Sequence, residues 1–310
     1  MNKVDKLIQR ITKYTHDIQK GDLDHLQEFE GSENIPDAVE SYETEMAKVL
    51  KDELKRLKQL LTQSIAKSDD EIIFDDLTFE QMAAFYANNL LISEEFKEAA
   101  TAVNAKYFRE IVEDIATRMM ASIDSDIPYE DMSPRTTRII EEWSEELADI
   151  MQLNTHKKVE RVLAEALEEG KSIQAIELEL DDLPEFNRQR ARTTAITEVV
   201  GASNVAMQEA YIQSPAVRGK RWKHSGAKNR RQPRPNHMLL DGVIVDVDEV
   251  FTIPGSGETC MHPGDSSLSA SERIHCGCIS GPVVDKRILG LSYEEKMEIR
   301  EQARDELGLT

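Results

Sequence analysis

The chain of 310 residues carries 38 Lys and Arg against 59 Asp and Glu, a net charge of −21, with 31% charged and only 5% aromatic residues. That length can bury the core of two domains, or of one domain with a long helical arm, and that composition suits a helix-rich protein better than a β-sandwich. No apolar run approaches the roughly 20 residues that span a bilayer, and the opening MNKVDKLIQR lacks the apolar core of a secretory signal, so the expectation is a cytoplasm-like compartment and no membrane.

Helices are predicted as far as about residue 212. Between Ala38 and Ile65 the apolar residues Val39, Tyr42, Met46, Val49, Leu50, Leu54, Leu57, Leu61 and Ile65 recur at three- and four-residue steps, which places them on one helical face. Ser68-Asp-Asp interrupts this pattern, Thr78 is placed to cap a run through Met82, Phe85 and Leu90, and Ser93 starts a further helix. Ser133 followed by Pro134 is a stronger start signal, because proline fits the first helical position, and it leads into Ile139, Trp143 and Leu147. Glu168-Glu-Gly170 reads as a helix end, Ser172 as the next cap, and a last helix of this region runs from about Glu185 to Ile212.

After Ser214-Pro215 the period turns strand-like. Lys220 to His224 is read as a strand with Trp222 buried, and Ser225 to Pro235 as a loop. Two apolar runs then meet at Asp241-Gly242, which predicts a β-hairpin with a type I′ turn, and Phe251 and Ile253 extend its sheet. A glycine- and proline-rich stretch from Pro254 to Gly264 follows, and a polar helix from about Ser292 to Leu307 ends the chain. The fold class is therefore α+β: an acidic, mainly helical arm over 1–187 and a small α+β module with a β-hairpin over 188–310. The charge divides with it. Residues 1–209 hold 24 basic and 45 acidic residues, whereas 210–310 hold 14 of each. Between Ala210 and Leu240 there is no acid, yet Arg218, Lys220, Arg221, Lys223, Lys228, Arg230, Arg231 and Arg234 all occur there. Such a strip on an acidic chain asks for an anionic partner, double-stranded DNA bound without sequence preference being one and the arm's own acids another.

The ordered set Trp222, Asn229-Arg-Arg-Gln-Pro-Arg-Pro-Asn-His237, Leu240-Asp-Gly242, Phe251, Met261-His-Pro-Gly-Asp265, Ser269-Ala-Ser-Glu272 and Cys276-Gly-Cys278 resembles the Mu F-like head morphogenesis module of tailed phages. The preceding helix, Arg190-Ala-Arg-Thr-Thr-Ala-Ile-Thr-Glu198 with Asn204 and Tyr211, resembles the helix that leads into that module. Ile196, Asn229 and His275 stand where that family often has Arg, Asp and Asn. In length and layout the chain is similar to minor head proteins of siphophages of Gram-positive hosts. The resemblance implies a virion component that joins the procapsid through the portal protein, sits inside the head near the portal, and bears on DNA retention or release. Scaffold or major capsid protein is a further candidate partner, and apolar residues such as Val39, Tyr42, Met46 and Val49 are the candidate anchors of portal docking.

The three cysteines are too few and too crowded for a disulfide framework. His237, Cys276 and Cys278, with His262 or Cys260, supply enough nitrogen and sulfur for a structural zinc, although Cys-x-Cys is tighter than zinc-finger spacing; buried thiols beside a hydrogen-bonded histidine are the plainer reading. A metal-dependent hydrolase around His237, Cys276 and Cys278, or one drawn from His237, Asp241 and Asp265, is an alternative, but no nucleophile elbow or phosphate-cradling glycine loop accompanies it. The expectation is no enzyme. A cytoplasmic regulator that binds nucleic acid shares the basic strip and would differ by its absence from particles.

Overall fold

The computed structural model describes residues 35–66, 94–169, 171, 173–224 and 234–306. In chain order these form α1 (Ile35–Ala66), α2 (Glu94–Ile123), α3 (Pro134–Glu169), α4 (Ile173–Asp181), a 3-10 turn at Pro184–Phe186 and α5 (Arg188–Gln213). There follow β1 (Val217–Lys223), α6 (Pro235–Leu240), β2 (Ile244–Asp246), β3 (Phe251–Thr252), β4 (Thr259–Cys260), α7 (Ala270–Arg273), β5 (Ile279–Val284), α8 (Lys286–Leu289) and α9 (Tyr293–Glu306). The class is α+β, with long helices ahead of a small antiparallel sheet region, as expected. Thr78, Ser93, Ser172 and their neighbours, together with Lys228, Arg230 and Arg231 of the basic strip, lie outside the described residues.

The helix signals act through identifiable bonds. Ser133 Oγ accepts from the Thr136 amide and so caps α3, with Pro134 in the first helical position. At the other end the Lys171 amide closes back on the Ala166 carbonyl, five residues earlier, which satisfies one of the last carbonyls of the helix. The predicted start of the next long helix at Glu185 moves to Arg188: Pro184 to Phe186 close a single 3-10 turn, and Asn187 Oδ1 then takes the Arg190 amide as a fresh cap.

The chain packs as two compact units. One comprises Glu40–Lys106 and Ile140–Ala195. Its apolar cluster joins Leu57 of α1, Val159, Val162, Leu163 and Ala166 of α3, Ile176 and Leu180 of α4, and Leu183 and Phe186 of the turn. Buried polar side chains in it are paired with one another at two places. Tyr42 donates to Asn104 Oδ1, whose amide donates to the Ser144 carbonyl, and buried Glu43 is gripped by Arg188 and Arg192. The α1 stripe therefore faces its own core. Val39, Tyr42 and Met46 are fully buried, which corrects their assignment as docking anchors: a side chain already packed in the fold cannot enter a partner's groove.

The other unit comprises Met1–Val39, Tyr107–Ile139 and Ile196–Thr310. Its three-stranded sheet has the order β2-β1-β5, both pairs antiparallel, with β1 in the middle and a bulge between Val217 and Gly219. The expected hairpin at Asp241-Gly242 is not formed. Pro235 presets the first turn of a helix, so His237 to Leu240 coil as α6 and no strand precedes the turn. Asp241 keeps a negative φ of −55° and only Gly242 goes positive, at 82°, which makes a type II turn closed by Val243 N–H on the Leu240 carbonyl. The strand that leaves it pairs with β1. Phe251 and Thr252 join Thr259 and Cys260 in a separate two-stranded hairpin rather than extending the first sheet. The polar last helix, capped by Ser292 Oγ on the Glu295 amide, buries two cations: Lys296 pairs with Asp124 at 2.7 Å and Arg300 donates to Gln213 Oε1 at 2.9 Å.

Two glycines separate a rigid contact from a soft one. A methyl on Gly219 would sit 2.7 Å from the Val245 carbonyl oxygen, whereas on Gly281 it would meet the Lys223 side chain at 2.8 Å. Gly219→Ala is expected to cost about 1–3 kcal/mol by forcing β2 off β1, and Gly281→Ala well under that, because a lysine tail moves aside. Urea unfolding of the two variants checks the difference; equal losses would contradict it.

Candidate functional site

Strand β1 carries the first half of the basic strip, and its alternation sorts the strip's residues. Arg218 and Arg221 are exposed and Lys223 is half-buried, while Trp222 and Lys220 are fully buried. Trp222 meets Phe251 and His237 edge-on, with ring centroids 5.3 and 5.4 Å away, at the centre of a cluster with Leu240, Ile253, Cys260, Leu268, Cys276 and Cys278. Burial of Trp222 is as expected. Lys220 is a correction to the strip: its ammonium donates to Gln208 Oε1 and lies 5.7 Å from the Phe251 ring, so it cannot reach a phosphate. Burial pulls its pKa down to about 8. Arg234 is also committed, since its guanidinium donates to the Ser271 and Ile274 carbonyls at 2.7 Å each.

Three of the expected metal ligands converge. The ligand atoms of His237, Cys276 and Cys278 all lie within 4.8 Å of one another, and all three residues are buried. His237 Nδ1 faces both sulfurs, at 3.5 Å from Cys276 and 3.7 Å from Cys278. A hydrogen bond from Cys278, then one from His237, holds the Cys276 thiol well below its ordinary pKa against the opposing effect of burial. His262 is not part of the group, which corrects its placement as a ligand: its Nδ1 sits against the Pro263 carbonyl, and burial pushes its pKa down. Cys260 also stands outside it, with a thiol that burial pushes up to about 12.

The partner of His237 was missed from sequence. Nε2 lies 2.9 Å from Glu272 Oε2, and Asn236 Nδ2 donates to both oxygens of that carboxylate at 2.9 and 3.0 Å. Glu272 sits 35 residues away on a four-residue helix, and no spacing rule joins the two. The hydrolase drawn from His237, Asp241 and Asp265 does not assemble. Asp241 accepts from the His224 amide, and Asp265 accepts from the Met261 and Ser267 amides and the Ser267 hydroxyl.

What positions the Cys-x-Cys segment is helix α5. Asn204 donates to the Cys278 carbonyl and accepts from the Ser280 amide, Tyr211 donates to the Ser280 carbonyl, and Thr197 Oγ1 accepts from the His275 amide. Glu198 pairs with buried Arg273. His275 itself has φ 59°, a left-handed conformation in which Asn and His are among the better tolerated residues; this accounts for the Asn common there in the family it resembles.

Helix α5 thus clamps a small turn-rich module through buried polar side chains, with the strand β1 beside it. The model of the Phage Mu protein F like family matches residues 157–280. The chain is also 44% identical over 306 residues to the uncharacterized protein YqbB of Bacillus subtilis, spanning 97% of this chain and 98% of that one. It belongs, accordingly, to the Mu F-like head morphogenesis family of tailed phages. A shorter similarity, 32% identity over 120 residues, links 38% of this chain to 23% of the NAD(+)--arginine ADP-ribosyltransferase EFV of Enterococcus faecalis. No solved structure matches.

The depressed Lys220 gives a pH signature. Its pKa is 10.5 unfolded and about 8 folded, so between those values the unfolded chain binds more protons and stability rises with pH. The stability of the wild type relative to Lys220→Met should therefore climb by up to about 3 kcal/mol from pH 8 to 10.5. Cys260, whose raised pKa acts in the opposite direction above pH 9, is present in both proteins, so the difference reports mainly Lys220 together with its coupling to that thiol. A pH-independent difference in chemical denaturation would contradict the burial of a charge at this position.

Proposed function

We propose that the chain is a minor head protein of a tailed phage, a non-enzymatic component that associates with the portal protein inside the procapsid and contacts packaged DNA. The match of the Phage Mu protein F like family over residues 157–280 carries this reading, and the near full-length relationship to a Bacillus protein supports it. No described helix is long and apolar enough to cross a membrane. The chemistry that would meet DNA is the exposed Arg218 and Arg221 and the half-buried Lys223, together with Lys228, Arg230 and Arg231 of the sequence. Arginine and lysine neutralise phosphates and release condensed counterions, which supplies affinity without reading any base, as a packaged genome of arbitrary sequence requires. Portal docking would use surface outside the buried α1 stripe. Placement inside the head near the portal, and an influence on retention or release of the genome, follow from the same reading.

Two measurements test it. The full chain should bind duplexes of unrelated sequence equally, and replacing Arg221, Arg230 and Arg231 with Ala should lower the slope of log affinity against log salt by about one per lost phosphate contact. Absence of binding at low salt would remove the DNA contact. In infected or induced cells the protein should sediment with procapsids and co-purify with portal rings; a protein found only in the soluble fraction would instead be a regulator.

A further inference from the structure

We propose that His237, Cys276 and Cys278 form a zinc site with three protein ligands, oriented by Glu272. Zinc takes thiolate sulfur and imidazole nitrogen at tetrahedral positions, and those are the three donors brought together here. One imidazole nitrogen faces both sulfurs while the other meets a carboxylate. Metal-bound histidines are characteristically held this way, the outer carboxylate fixing the tautomer and raising the basicity of the inner nitrogen. The carboxylate is itself held on both oxygens by Asn236. Packing fixes the imidazole further, because Trp222 meets it edge-on with an interplanar angle of 79°. The Cys278 carbonyl, held by Asn204, orders the backbone that carries the second sulfur.

The alternative of two inert buried thiols explains burial but not this direction. A histidine buried only to satisfy its polarity needs acceptors, and two neighbouring sulfurs are weak ones. Both sulfurs on one nitrogen is instead what a shared ion arranges. Among the described residues no fourth His, Cys or carboxylate joins the group, so the assignment is to three protein ligands. The site would cross-link α6, which follows the basic loop, to the segment entering β5, two stretches about forty residues apart in sequence that share no strand pairing.

The test uses the full chain, reduced and freed of metal with chelator, then titrated anaerobically with zinc and, in parallel, with cobalt as a coloured substitute. One zinc per chain is expected, with tetrahedral cobalt bands and thiolate-to-cobalt charge transfer. Cys276→Ser and Cys278→Ser should lose the charge-transfer band, and Glu272→Gln should keep it while weakening zinc about 10- to 100-fold. Circular dichroism follows the folding of each variant. Should the serine variants fail to fold, Glu272→Gln and the cobalt spectrum of the wild type still decide. Cys260→Ser and His262→Asn should retain stoichiometric zinc. No uptake by the reduced chain, a Cys276–Cys278 disulfide in its place, unchanged affinity in Glu272→Gln, or loss of zinc in Cys260→Ser would each overturn the assignment.

Discussion

The side chain of Asn204 does what a neighbouring strand would do. Its amide donates to the Cys278 carbonyl and accepts from the Ser280 amide, so helix α5 pairs with the entry to β5 as though it were backbone. β5 in turn pairs along the length of β1, and β1 holds both β2 and the Trp222 core. Tyr211, one to two turns further along α5, repeats the device on Ser280. A small sheet with short strands has little apolar area of its own, and buried polar groups paired between helix and strand help to give such a module a single register. Losing one of these side chains would leave buried backbone groups unpaired, at a cost of about 1–3 kcal/mol each.

The same helix accounts for why the family likeness was visible in sequence. Glu198, Asn204 and Tyr211, which carry the likeness of this helix to the one leading into that module, are the ones that reach Arg273, Cys278 and Ser280. Their types are constrained by bonds across the module rather than by helix propensity, so they stand out from an otherwise ordinary helix. The long helices themselves were legible because period, caps and proline agree locally, as at Ser133-Pro134.

The errors have a common physical origin. Asp-Gly between two apolar runs is a hairpin signal only if both runs are strands, and Pro235 had already committed the first to a helix. A charged strip in sequence is not a charged strip in space. On a strand every second residue turns inward, and Lys220 does so at a place where Gln208 and the Phe251 ring receive it. Five candidate metal ligands could be read from the sequence, but only tertiary structure tells that His237 faces the two nearby sulfurs, that His262 meets the Pro263 carbonyl instead, or that Glu272 backs His237.

The described residues on either side of the basic stretch 225–233 are both tied to the module. Before it, the His224 amide donates to Asp241; after it, the Arg234 guanidinium grips two carbonyls beside α7. These bonds fix the two described residues that flank 225–233, His224 through Asp241 and Arg234 through the Ser271 and Ile274 carbonyls, so the module itself sets where that stretch begins and ends. For the engineer, His224 and Arg234 are therefore the fixed points: any sequence exchanged between them has to leave both in place.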